Sequence, residues 1–236
     1  MTAPVAARLL GLALGAGIGA VAALRRDRPM HAVGRTHHAV VRSLGGSSGI
    51  PWLDEPGERT GLVRFSRGAG LPSWAPDVQG LALRLPEDGR HTDVLFSSGG
   101  LHGVGRFLLT ARRSPLGGPL TTLMPFRGPR GPVVLAAEPR DETIGSRTSR
   151  RVRRTRRREA WPTLTGTRWT LLRSGLTGPW EPFAELTVGA DAGPAVDRGT
   201  RFDPVGATPS GLPPYPWAAV LRDPAYRLAR TLGRTG

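Results

Sequence analysis

The sequence predicts a mostly antiparallel β-barrel of the α+β class, with an apolar helix before it and a helical segment after it. Three observations lead there. Short apolar runs with strand-like alternation recur from residue 39 to residue 190. Gly (33) and Pro (23) are abundant, which suits turns between many short strands better than long helices. With 236 residues and 39% hydrophobic side chains, the chain is large enough to bury one sizeable core.

The strand candidates follow in order. Ala39-Val40-Val41-Arg42 precedes a Gly/Ser turn at Gly45 to Gly49, and Leu62-Val63-Arg64-Phe65 is the next run. Leu81, Leu83 and Leu85 alternate with Ala82 and Arg84, the pattern of a half-buried strand. Val94-Leu95-Phe96, Arg106-Phe107-Leu108-Leu109 and Val133-Val134-Leu135-Ala136 come next, each bounded by Gly-rich turns. Arg168 to Leu172 and Ala184 to Val188 close the β-rich region, and no internal repeat is evident. The tail from Leu212 to Arg230 reads as helical, interrupted at Pro224.

Charge and composition exclude several chemistries. The formal net charge is +15, and every one of the 33 basic residues is arginine. Such a charge attracts anionic surfaces, nucleic acid or acidic lipid. There is no cysteine, so disulfides, thiolate metal sites and cysteine nucleophiles are ruled out. The run Arg147 to Arg158 lies between two strand candidates and reads as a solvated basic loop or exposed helix. It contains no aromatic residue for base stacking, which argues against nucleic acid as its partner.

Residues 1–27 form a separate segment ahead of the barrel domain at 28–236. Leu9 to Leu24 is an unbroken apolar run, shorter than the ~20 residues that span a bilayer comfortably. Arg25, Arg26 and Arg28 follow it directly. Three readings stand: a helix packed on the barrel or a membrane surface, an inserted anchor, or a cleaved signal. By the positive-inside rule, an anchor would keep the remainder of the chain in the cytoplasm. The expected location is therefore cytoplasmic, with membrane association through the N-terminal segment.

Several motifs tempt and fail. Gly45-Gly46-Ser47-Ser48-Gly49 matches a nucleophile elbow, but Ile50-Pro51-Trp52 and Pro56 follow where a helix is required. Gly15, Gly17 and Ala20 fit a loose dinucleotide fingerprint without its acidic partner, and a Walker A loop is impossible without lysine. His31, His37, His38, His91 and His102 are scattered outside any zinc-type motif. Asp54, Glu55 and Glu58 flank Pro56-Gly57 and read as a polar turn.

A family resemblance runs through residues 28 to 140. Arg28-Pro29-Met30-His31-Ala32-Val33-Gly34 resembles the Arg-Pro-x-His-Ala-x-Gly start of small catalase-related proteins of high-GC bacteria. Ser66-Arg67-Gly68-Ala69-Gly70 resembles the catalase stretch His-Ala-Arg-Gly-x-Gly. Asp77-Val78-Gln79-Gly80-Leu81-Ala82-Leu83-Arg84 and Asp93-Val94-Leu95-Phe96 resemble the two catalase strands that follow. The resemblance implies a catalase-like barrel.

The departures shape the functional expectation. The resemblance puts the distal histidine of a catalase at Phe65 and the distal asparagine near Ser98. Phe65 cannot move a peroxide proton, and Arg67 is left with a structural role in its turn. Catalases bind haem iron through a tyrosinate with an arginine one turn before it, a spacing that Arg222 and Tyr226 share. The resemblance thus makes Tyr226 the candidate iron ligand, Arg222 its cationic neighbour and Phe65 the opposite face; the alternative is a tyrosine anchoring the terminal helix.

The functional expectation is a catalase-like barrel without catalase activity, binding haem or another apolar small molecule. Two alternatives remain. One is a hydrolase of the kind labelled phosphodiesterase, for which no metal motif is recognisable. The other is a membrane-peripheral protein that meets an anionic surface.

Overall fold

A computed structural model of the protein describes residues 33–72, 74–140 and 162–218. Its main strands are β1 (Val33–Ser43), β2 (Gly57–Arg67), β3 (Asp77–Glu87), β4 (Arg90–Ser98), β8 (Gly131–Pro139), β9 (Arg168–Ser174) and β10 (Glu181–Asp191). Three short strands, β5 (Ala111–Arg112), β6 (Leu120–Thr121) and β7 (Phe126–Gly128), sit in the long connection between β4 and β8. Two short helices flank the sheet, α1 (Pro51–Asp54) and α2 (Gly193–Gly199).

Neighbour pairing runs β2-β1-β10-β9-β8-β6-β4-β3, and β3 also pairs β2. The sheet therefore closes into an eight-stranded barrel, and every pairing is antiparallel. Closure removes the open edges that would otherwise invite aggregation. β10 helps the sheet curl. It inserts one extra residue opposite His37–Ala39 and another opposite Leu171–Leu172, and each bulge bends the strand.

The alternation read from sequence is the alternation found. Leu81, Leu83 and Leu85 of β3 point inward, as do Ala184, Leu186 and Val188 of β10. Val63 and Phe65 of β2, Phe96 of β4, Leu135 and Ala137 of β8, and Trp169 and Leu171 of β9 complete the interior. Glycine is required where β2 crosses β3. A Cβ on Gly61 would lie 2.1 Å from the Arg84 carbonyl oxygen, so only a bare backbone passes.

One strand expectation is corrected. Arg106-Phe107-Leu108-Leu109 is not a strand: Gly103–Phe107 forms a 3-10 turn, and Leu108 follows in extended backbone outside any ladder. Gly103 adopts φ +48°, and the Arg106 guanidinium is drawn inward to backbone carbonyls. Those demands outweigh the strand propensity of four residues. β1 also begins six residues before Ala39, at Val33. Helix α2, which no sequence signal marked, docks outside β1 and β2. There Asp197 pairs with Arg64 at 2.7 Å and accepts from the Thr36 hydroxyl.

The apolar run 9–24, the arginine run 147–158 and the pair Arg222/Tyr226 lie outside the described residues, as does the tail beyond Ala218. Among the described residues, no helix is long and apolar enough to cross a membrane.

The crossing at Gly61 generates a prediction. Gly61→Ala forces β2 and β3 apart and should cost about 1–3 kcal/mol, as overpacking typically does. The shift in urea midpoint measures it. An unchanged midpoint would mean the two backbones can separate freely.

Candidate functional site

Phe65 is the residue on which the interior turns. It is fully buried on β2. Its ring lies 5.4 Å from that of Trp169, tilted by 36°, and 6.3 Å from His37, edge-on at 75°. Trp169 is itself fully buried, and its indole N–H donates to the Thr167 hydroxyl at 3.2 Å. Three flat side chains from β1, β2 and β9 thus fill one level of the barrel. Sequence reading marked Phe65 but not its two partners.

His37 carries no visible task. It is buried, and neither ring nitrogen makes a hydrogen bond of good geometry among the described residues. Burial is the largest influence on its pKa and pushes it down. Asp191, paired across on β10, pulls it up less strongly, the Gly189 backbone pulls the same way, and Arg35 adds to the lowering. The ring is therefore held neutral and behaves as a core aromatic. Its one sequence signal is period: His37, Ala39 and Val41 share the inward face.

Ser98 is spoken for by structure. It is fully buried at the end of β4, accepts from the Gln79 amide at 3.0 Å and donates to the Thr110 carbonyl. No free hydroxyl remains there to orient a substrate.

The motifs that carry the resemblance are braces. Arg67 donates to the carbonyls of Leu71, Pro72, Ala75 and Arg113 and lies 3.6 Å from Asp77. Asp77 in turn accepts from the amides of Ala69 and Leu71. This bears out a structural role for Arg67. The Gln79 side-chain amide donates to the carbonyls of Asp77 and Arg112. Arg84 grips Asp93 in a two-pronged pair at 2.7 and 2.6 Å. Asp93 also accepts from the Asp203 amide, and Arg84 covers the Phe202 ring at 4.9 Å. The pair pins the segment after α2 against the barrel.

The glycine-rich turn has its own explanation. The Asp54 carboxylate accepts from the Ser48 hydroxyl and from the amides of Ser48, Gly49 and Ile50. Burial would raise its pKa. The Ser48 hydroxyl and the three amides outweigh that and hold it below the usual carboxylate value. Gly45 and Gly49 adopt φ +81° and +78°, which lets the amides converge. Gly45–Gly49 is a nest closed on the Asp54 carboxylate, and Ser47, exposed at its centre, has no described general base beside it and no helix behind it beyond the single turn Pro51–Asp54.

Two surface clefts of about 440 and 460 Å³ lie at the end of the barrel opposite Val33, and neither is lined by Phe65. Among the described residues, no three His, Asp or Glu side chains gather to hold a metal. The described residues do not fit a porphyrin against Phe65, because Trp169, His37 and the surrounding strands already fill that space.

No family model matches the chain, and no curated protein matches it. Solved structures do. A bacterial catalase aligns at TM-score 0.60 with 14% identity, covering 89% of this chain and 58% of its own. A fungal catalase aligns at 0.58 with 12% identity, covering 88% and 61%. Catalase A from Saccharomyces cerevisiae aligns at 0.57 with 10% identity, covering 88% and 62%. The chain spans about three fifths of the length of these catalases. At such identities the likeness is one of fold, and the fold is catalase-like.

The buried imidazole gives a pH prediction. A histidine kept neutral in the native state takes up its proton more readily when unfolded, where its pKa is about 6.5. Stability should therefore fall as pH drops below about 6.5, with a slope approaching 1.4 kcal/mol per pH unit for one proton. His37→Leu should flatten that slope between pH 6.5 and the native pKa, read as urea midpoints at matched pH. Identical slopes in the two proteins would mean that His37 titrates freely in the folded barrel.

Proposed function

We propose that this chain is a catalase-fold barrel that does not dismutate peroxide and works through its outer surface as a binding protein. One observation carries the reading. Phe65, at the place where the resemblance puts the distal histidine, is sealed between Trp169 and His37 in a filled interior. A catalase needs there a group that moves a proton near neutral pH, help typically worth about 10² to 10⁴ in rate. A phenyl ring has no titratable proton, and Ser98 is already bonded on both sides.

Haem is the cofactor that the resemblance brings forward. Bound, it would supply redox chemistry at iron, and Tyr226 with Arg222 would hold it. The filled space beside Phe65 weighs against that arrangement. The phosphodiesterase alternative finds no support among the described residues, where no metal-binding cluster occurs.

The test uses full-length protein purified from a haem-sufficient host. The expected result is no haem absorption band and no peroxide turnover above that of free haem. Phe65→His should not create turnover, since one histidine neither opens the interior nor supplies a cofactor. A haem band that Tyr226→Phe abolishes while the fold survives would overturn the closed-interior reading and restore Tyr226 as ligand.

A further inference from the structure

Three loops meet at the end of the barrel opposite Val33 and enclose the cleft of about 440 Å³. They are the glycine-rich turn after β1, the tip of the β7–β8 hairpin and the β9–β10 turn. Each is held from behind by the fold. The Asp54 carboxylate fixes the first through the amides of Ser48, Gly49 and Ile50. Ladder pairs from Phe126↔Val133 to Gly128↔Gly131 fix the second. The buried Arg106 guanidinium fixes the third through the Ser174 hydroxyl and the carbonyls of Gly175 and Gly178. Arg130, at the hairpin tip, then donates to the Ser47 and Ser48 carbonyls and ties the first two walls together. Walls ordered in advance lose little conformational freedom when a ligand binds.

The lining combines apolar walls with unused cationic donors. Ile50, Val133, Pro132 and Pro179 supply the apolar surface. The charged side chains are Arg130, Arg173 and Glu181. Glu181 engages one nitrogen of Arg173, Nη2, at 2.8 Å. Among the described residues, the Arg173 Nε and Nη1 and the Arg130 Nη1 have no partner, and the exposed Ser47 hydroxyl lies at the same cleft. One positive charge is left in excess. Guanidinium donors in a rigid fork match a carboxylate, and the apolar walls match a hydrocarbon body. The volume falls within the range of about 300–1,000 Å³ that small-molecule sites occupy.

We propose that this cleft binds a small organic carboxylate with an apolar body, the anion meeting Arg130, Arg173 and the Ser47 hydroxyl. The proposal names a ligand class for the outer-surface binding role above and rests on that reading. Its test reads neither haem nor peroxide, so the two fail by different measurements.

The full chain is titrated in a calorimeter with phenylacetate, with uncharged phenylacetamide and with acetate. Phenylacetate should saturate one site with a Kd of about 1 mM or tighter. Phenylacetamide lacks the charge and acetate lacks the ring, and each should bind about tenfold more weakly or worse. Arg173→Gln should weaken phenylacetate by about tenfold or more. Glu181→Gln releases Arg173 and should tighten binding severalfold, an effect that a purely structural ion pair would not give. Gly175→Leu should abolish binding. A Cβ there meets only the Pro132 carbonyl oxygen, at 3.9 Å, so the new side chain leaves the fold intact and fills the cleft. Arg42→Gln, in the second cleft, should change nothing and controls for the net charge of +15. The proposal is overturned if phenylacetate does not saturate, or if phenylacetamide binds as tightly. Equal losses in Arg42→Gln and Arg173→Gln would also overturn it, since the anion would then be held by diffuse surface charge. So would undiminished binding to a folded Gly175→Leu protein.

Discussion

An eight-stranded barrel is just wide enough for its interior to be filled by side chains, and that constraint governs this molecule. A reaction pocket and a packed core compete for the same volume. Here Phe65, Trp169 and His37, contributed by three strands, take one level of it, and all three are buried. The aromatic level ties β9 to β2 across the interior, so closure of the sheet and occupation of its centre are one event. His37 shows the cost of that choice. Among the described residues its ring makes no well-formed hydrogen bond, and burial lowers its pKa, which favours the neutral form.

Outside the barrel, arginine does the work that cysteine pairs or longer helices do elsewhere. Arg106 is the clearest case. It is buried and has no carboxylate partner among the described residues. Its donors go to the Ser174 hydroxyl and to the carbonyls of Gly175, Leu101 and Gly178, while its plane covers the Trp180 ring at 4.9 Å. Arg112 similarly joins the Pro119 and Gly99 carbonyls. A guanidinium offers five donors in a rigid fork, which suits several fixed carbonyls at once; an ammonium cannot span them. Part of the large positive charge is therefore structural, and reading all of it as attraction to polyanions would overstate the case.

How much of this was legible in the sequence depended on period. Leu81-Leu83-Leu85 and Ala184-Leu186-Val188 alternate cleanly, and the closed antiparallel sheet follows from such runs. Arg106 to Leu109 looked like a strand for the same reason, but the buried guanidinium and the preceding Gly103 and Gly105 set the backbone there. Helix α2 left no signal because seven residues are too few for an apolar stripe, and its position depends on Asp197 meeting Arg64 and Thr36 across 133 and 161 residues of chain. The aromatic level was only partly visible. Phe65 stood out by comparison with a motif, whereas Trp169 lies over a hundred residues away and nothing local says that the two rings meet.

The same distinction explains why catalase-like motifs are informative about fold and weak about chemistry. Arg67, Asp77, Arg84 and Asp93 fix loops to strands and pin the chain after α2. Such braces are demanded by barrel topology whatever the interior does, so any chain that folds this way has reason to carry them. Proton transfer makes separate demands, at Phe65 and Ser98, and those positions are committed to packing and to backbone hydrogen bonds. A filled interior is the reason the proposed binding role is placed on the outer surface. At one end the Asp54 carboxylate closes a nest of amides and Glu87 meets the Ser210 amide. Exposed apolar side chains occur at both ends, Leu71 and Trp74 at one and Leu44 and Leu176 at the other. Exposed apolar area of that kind opposes solubility unless something covers it, which is a physical reason to look for a partner on the outer surface.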